Sequence, residues 1–139
     1  MKLRIKNNQL NEFGTFLLTL ELKGKKSRLR TRFIKLLTEQ LKQFNEEHTL
    51  LLKEHCHLDE EGNPKKVERN NEQYWDIKDI PSYKQDYNEL LEEEFIIEGE
   101  DKRDMLLAVK DAVLDCDKSF SGNEAMLYDQ WCDIVEGIE

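Results

Sequence analysis

The tightest constraint on this chain is the stretch from Ser27 to about Leu58. Within it Leu29, Phe33, Leu36, Leu37, Leu41, Phe44, His48, Leu51, Leu52 and His55 recur at steps of mostly three or four. That is the period of a helix with one buried stripe. Arg, Lys, Glu and Gln fill the positions between them, and all are good helix formers on a wet face. No Pro or Gly interrupts the run from Lys25 to Glu61. Ser27 is the expected N-cap, its hydroxyl accepting from one of the first unbonded backbone N–H groups. Glu61-Gly62-Asn63-Pro64 is the expected exit, because Gly takes positive φ and Pro cannot continue a helix. About 30 residues at ~1.5 Å each make a rod of about 45 Å. A stripe that long outruns the core of one small domain. Either other segments of the chain lie along it, or a second molecule does.

The charge on this helix is uneven. Lys23, Lys25, Lys26, Arg28, Arg30, Arg32 and Lys35 crowd its start, where positive charge opposes the helix dipole. Such a cluster calls for an anion, an acidic partner surface, or the acidic remainder of its own chain. That remainder is strongly acidic. The residues through Glu47 carry +6 and the rest −15, which gives the net −9. The asymmetry predicts attraction between the two parts and an acidic face left exposed.

At 139 residues the chain is expected to form a single domain, 1–139, with a true core. Nearly equal shares of hydrophobic and charged residues, 38% and 37%, place it among folded rather than disordered chains. No run approaches the ~20 apolar residues of a membrane span, and the N-terminus lacks a signal peptide's apolar core, so a cytoplasmic location is expected. Cys56, Cys116 and Cys132 form no close pair and read as free thiols of a reducing compartment.

The remaining segments are shorter. Lys2-Leu3-Arg4-Ile5-Lys6 alternates as a half-buried strand does. Asn7 or Asn8 caps a helix carrying Leu10, Phe13, Leu17 and Leu20 on one face, with Gly14 either weakening it or permitting close packing. Lys65 to Lys78, with Val67, Asn70-Asn71, Tyr74, Trp75 and Ile77, suggests a hairpin with Asn at the positions of unusual φ. Asp79-Ile80-Pro81 opens a helix with Tyr83, Tyr87, Leu90 and Leu91 on one side. Phe95-Ile96-Ile97-Glu98 is a β-prone run that pairs with either the N-terminal strand or the hairpin. Asp101 and Asp104 suit a helix start, followed by Met105, Ala108, Val109, Ala112, Val113 and Cys116 facing inward. Ser121 and Glu124 form a capping box for a last helix bearing Leu127, Trp131, Ile134 and Ile138, with Tyr128, Cys132 and Val135 beside them. The expected fold is α+β and predominantly α-helical: a long central helix packed by three or four shorter ones, plus a small antiparallel sheet or hairpin.

Chemical motifs are scarce. His55 and His57 point about 200° apart on a helix and cannot share a metal while it continues, and there is no C-x-x-C or H-x₃-H, so no metal is expected. Asp115-Cys116-Asp117-Lys118-Ser119 begins like a calcium loop but lacks Gly at Phe120 and Glu at Met126. No G-x-S-x-G, Walker loop or G-x-G-x-x-G occurs, and Glu92-Glu93-Glu94 reads as a solvated helix face. No cofactor and no enzymatic activity are expected. The binding residues singled out are Lys25, Lys26, Arg28, Arg30, Arg32 and Lys35 for an anionic partner, and Tyr74 and Trp75 as aromatic anchors for a protein partner. For Tyr74 and Trp75 the competing reading is that they seal the sheet against the helices.

Several stretches carry a resemblance: Lys23-Gly24-Lys25-Lys26-Ser27-Arg28-Leu29-Arg30-Thr31-Arg32-Phe33-Ile34-Lys35-Leu36-Leu37, then Leu58-Asp59-Glu60-Glu61-Gly62-Asn63-Pro64-Lys65. Ile77-Lys78-Asp79-Ile80 and Glu89-Leu90-Leu91-Glu92-Glu93-Glu94, with Ile97-Glu98, follow in order. In these the chain resembles a family of small uncharacterised proteins encoded by phages and prophages of Gram-positive bacteria, a domain of unknown function. The resemblance implies a setting near tail and lysis genes, and either a virion-accessory role or a product that acts on the host. It carries no catalytic residues over. The expected function is therefore a non-enzymatic interaction protein that binds a host or phage protein, including inhibition of a host defence system by an acidic surface that occupies a nucleic-acid site. The alternatives are a tail or assembly accessory forming a homo-oligomer through the long helix, and a nucleic-acid binder using the basic helix start. The overall acidity argues against the last.

Overall fold

The structure, a computed structural model, describes residues 1–138. Its elements run β1 (Lys2–Lys6), α1 (Leu10–Leu18), α2 (Gly24–His55), β2 (Lys66–Arg69), β3 (Glu72–Trp75), α3 (Ile80–Glu92), β4 (Glu94–Glu98), α4 (Arg103–Leu114) and α5 (Asn123–Glu136). The fold is α+β and mostly helical, as the sequence periodicities require. It contains two separate two-stranded antiparallel sheets, β1–β4 and β2–β3.

α2 is one unbroken helix of 32 residues, about 48 Å at the standard rise. The chain divides into two compact units, Met1–Leu41 with the C-terminal residues from Glu94 onward, and Lys42–Glu93. Each contains its own stretch of α2. Leu29, Phe33 and Leu37 enter the core of the first unit. Leu52 enters the core of the second with Cys56 and Tyr83.

In the first unit, β1 and β4 pair with Leu3 opposite Ile97 and Ile5 opposite Phe95, which settles the partner of the Phe95–Glu98 run. The inward positions join Phe13 and Leu17 of α1, Leu106, Val109 and Val113 of α4, and Trp131 and Val135 of α5. Phe13 meets Phe33 edge to face at 5.9 Å between ring centroids and lies 5.1 Å from Trp131. Gly14 sits against Leu37, and a Cβ there would lie 3.7 Å from Leu37 Cδ1, ordinary van der Waals contact. Gly14→Ala is accordingly expected to raise stability by up to about 1 kcal/mol, since it removes backbone entropy from the unfolded chain without a clash. A lower urea midpoint for the variant would contradict this.

In the second unit, β2 and β3 form a hairpin over Asn70 and Asn71, both at positive φ (54° and 67°), as their place in the sequence predicted. Its root is tied by His57 N–H to Asp76 O (2.9 Å), Lys65 N–H to His57 O (2.8 Å) and Lys78 N–H to His55 O (2.8 Å). α3 starts at the Asp79 cap, whose carboxylate accepts from Ser82 N–H, with Pro81 in the first turn.

Five sequence expectations are corrected in detail. The long helix begins at Gly24 and ends at His55, so Ser27 lies inside its first turn rather than at its cap. Leu58 lies beyond the helix, bridged to Pro64, because the backbone past His55 bonds to the 76–78 segment instead. α1 is preceded by a 3₁₀ turn over Asn7–Gln9, and Asn7 is buried with its Oδ1 accepting from Gln40 Nε2 at 3.1 Å. The last helix is capped by Gly122 at φ 58° with no side-chain cap bond, so Ser121 forms no capping box. Asp101 likewise falls in a 3₁₀ turn, Glu100–Lys102, and Lys102 stands at the α4 cap.

Candidate functional site

Three surfaces offer themselves, and they differ in how far the sequence foretold them. The first is the basic start of α2. Lys25, Arg32 and Lys35 line a groove of about 430 Å³ with Lys102, and Asp101 and Asp104 line the same groove. Lys25 Nζ stands 3.8 Å from Asp104 and Lys102 Nζ 3.0 Å from Asp101. The hydrogen bond from Lys102 holds the Asp101 carboxyl below its usual range. Arg30 faces elsewhere: its Nη1 donates to the carbonyls of Leu17 (2.6 Å) and Leu20 (2.8 Å), and its Nη2 lies 3.5 Å from Ser27 Oγ. It is a cap for the C-terminal end of α1, not part of an exposed cluster. Lys26 and Arg28 remain exposed. The six cations named from sequence therefore do not form one exposed cluster: Lys25, Arg32 and Lys35 share a groove and Arg30 is turned away from it. Asp104, from the acidic C-terminal part of the chain, meets Lys25 of the cluster within the fold.

The second surface is the β2–β3 hairpin. All four residues of β3 are exposed, and of β2 only Val67 is partly covered. Tyr74 and Trp75 are 47% and 36% exposed, so they do not seal the sheet against helices. Lys66, opposite Trp75, lies over the indole with Nζ 4.6 Å from the ring centroid. Tyr74 donates to Glu72 Oε2 at 2.6 Å. The unit that bears this hairpin, Lys42–Glu93, holds seven Lys/Arg against fourteen Asp/Glu, a net −7. Most of the chain's excess negative charge is thus on the same unit as the two exposed aromatics.

Beneath the hairpin root, α2 and α3 share a polar aromatic stack. His48 lies flat on Tyr87 (4.4 Å, 8°), and its Nε2 is 2.8 Å from the Tyr83 hydroxyl. Tyr83 donates when the imidazole carries its proton on Nδ1. His55, on the edge of Tyr83, bonds Asp86 at 2.7 Å. Glu54, His55 and Asp86 present ligand atoms within 4.8 Å of one another, a cluster that sequence spacing did not suggest because Asp86 comes from another helix. Cys56 is fully buried, and burial together with Asp76 pushes its thiol pKa up, away from a reactive thiolate. All three cysteines are free.

Burial holds the pKa of His48 below 6.5. The unfolded chain binds this proton more readily, so the stability His48 contributes is complete above 6.5 and is lost as pH falls through the lowered folded value. The groups facing it, Phe44, Tyr83 and Tyr87, carry no charge to offset the loss. Wild type is expected to lose more stability than His48→Gln on acidification below 6.5, measured by urea unfolding across that range. Parallel losses in the two proteins would refute the assignment.

The third surface was missed. α1 and α5 leave a groove of about 470 Å³ lined by Phe16, Phe120, Leu127, Tyr128 and Trp131, with Asn11, Glu12, Asn123 and Glu124 at its margin. One signal was available. Phe16 falls off the Leu10–Phe13–Leu17–Leu20 stripe, so an aromatic stands where a wet residue is expected.

Among the described residues no helix is long and apolar enough to cross a membrane. No protein-family model, curated protein or solved structure matches this chain.

Proposed function

We propose that this chain is a non-enzymatic interaction protein, phage-encoded as the sequence resemblance implies, that binds a host or phage protein. Its docking element is the β2–β3 hairpin. The observation that carries this reading is a two-stranded ribbon whose β3 residues are all exposed, with Tyr74 and Trp75 47% and 36% open to solvent. A two-stranded hairpin is marginal by itself, and Tyr and Trp are the residues that dominate binding hot spots. The net −7 of the unit behind it selects a partner with a basic surface, and steers association at low salt. A protein whose basic surface normally holds nucleic acid is such a partner, which makes inhibition of a host defence system the natural role. The engagement of Arg30 within the fold and the carboxylates beside Lys25 and Lys102 weigh against nucleic acid as the ligand of the α2 start.

The immobilised protein is expected to retain a specific protein from host lysate or infected cells, identified by mass spectrometry and reconstituted with the purified pair. Raised salt weakens the complex, and Tyr74→Ser with Trp75→Ser abolishes it. Undiminished retention by the double variant, or a complex indifferent to salt, would remove the basis for this reading.

A further inference from the structure

The last turn of α2 and the middle of α3 bring three metal-ligating side chains together inside the Lys42–Glu93 unit. We propose that Glu54, His55 and Asp86 bind a divalent transition-metal ion of the zinc type, with water completing its coordination. The site does not rest on the role given to the hairpin.

The donor set is the first reason. One imidazole nitrogen and two carboxylates suit zinc, which takes His and Asp or Glu ligands together. The two carboxylates also balance the two charges of the ion. Neither has a Lys or Arg ion pair among the described residues. His57, the neighbour that helical geometry set apart from His55, does not belong to the group. Asp86 of α3 takes that place.

Geometry is the second. His55 Nε2 and Asp86 Oδ2 stand 2.7 Å apart, and all three ligand atoms lie within 4.8 Å of one another. Tetrahedral ligands about 2 Å from zinc are roughly 3.3 Å apart. The His55–Asp86 pair therefore opens slightly around the ion, and Glu54 closes in. Glu54 is exposed and has no ion pair or hydrogen bond among the described residues, so its carboxylate is free to swing. Without metal, a proton holds His55 and Asp86 together. A neutral imidazole with its proton on Nδ1 instead offers the Nε2 lone pair to the ion.

The third reason is that the nitrogen ligand is already held in place. His55 is only 8% exposed, and its ring stands edge to face on Tyr83 at 5.8 Å and 71°. Tyr83 is fixed in turn by its hydroxyl, 2.8 Å from His48 Nε2. A buried imidazole locked by packing and aimed at a carboxylate is what a group of solvated acids lacks. The Asp86 side chain is 40% exposed, so the ion enters from solvent and keeps a water.

The test is a Zn²⁺ titration of the full chain, followed by calorimetry and by NMR of the histidine rings. The His55 ring signals are expected to shift saturably as a single ion binds, while those of His57 stay in place. Mg²⁺, which takes oxygen ligands and sheds its waters reluctantly, is expected to bind at least about tenfold more weakly. Asp86→Asn keeps an acceptor for His55 but removes a charged ligand, and Glu54→Gln removes the other at an exposed position. Each is expected to weaken Zn²⁺ about tenfold or more, no less than the loss of a group that merely supports a ligand. His57→Gln is expected to bind as wild type does. Excess Zn²⁺ is expected to raise the urea midpoint of wild type and leave that of Asp86→Asn where it was. Zn²⁺ uptake without a His55 shift, full affinity in Asp86→Asn and Glu54→Gln, or Mg²⁺ binding as tight as Zn²⁺ would each overturn the proposal.

Discussion

Phe33→Ala is expected to destabilise the protein by about 3–5 kcal/mol, the usual loss for truncating a fully buried aromatic. Phe33 has no exposed surface, and its ring is met edge-on by Phe13. It comes from α2, whereas Phe13 comes from α1 and Trp131, beside Phe13, from α5. Alanine leaves a cavity whose walls belong to different elements and cannot collapse together. Such a loss is a large part of the ~5–15 kcal/mol available to a domain. Leu50→Ala on the same helix is the control: Leu50 is 65% exposed and its loss is expected to stay within about 0.5 kcal/mol. Urea unfolding of the two variants against wild type decides it, and similar midpoints for Phe33→Ala and Leu50→Ala would contradict the packing described.

Arg30→Ala is expected to cost about 1.5–3 kcal/mol, the range for hydrogen bonds made by charged groups. Two carbonyls at the end of α1, Leu17 and Leu20, would lose their guanidinium donor. Arg30→Lys is expected to recover little, because one ammonium cannot reproduce the planar fork. Arg28→Ala, at an exposed position of the same helix start, is expected to change stability by less than about 0.5 kcal/mol. Thermal or urea unfolding separates these outcomes. A stable Arg30→Ala variant would return Arg30 to the pool of cations available to a partner.

The contrast between Arg30 and its neighbours marks the limit of reading charge from sequence. Lys25, Lys26, Arg28, Arg30, Arg32 and Lys35 are alike as a run of cations. Which of them is free depends on what the fold brings near: the end of α1 for Arg30, and Asp104, some eighty residues later, for Lys25. The hairpin was more legible. Asn70-Asn71 between two short β-prone runs specifies a two-residue turn with positive φ at both positions, a local steric matter. Whether Tyr74 and Trp75 seal the sheet or face solvent is not local. It depends on whether a helix covers β3.

Sequence alone determined the elements: the unbroken α2, the Asp79–Pro81 start of α3, the strand alternation of Leu3 and Ile5, and the stripe through Trp131. Periodicity and turn chemistry are short-range properties, and a chain of this composition has few other ways to bury its apolar residues. Tertiary structure decided the rest. It parted the α2 stripe between two cores, matched Phe95–Glu98 with β1, set Asp86 against His55 and brought Phe16 of α1 to Phe120 and Tyr128. These are meetings between residues far apart in the chain, made by burial and shape, and no spacing along the sequence encodes them singly.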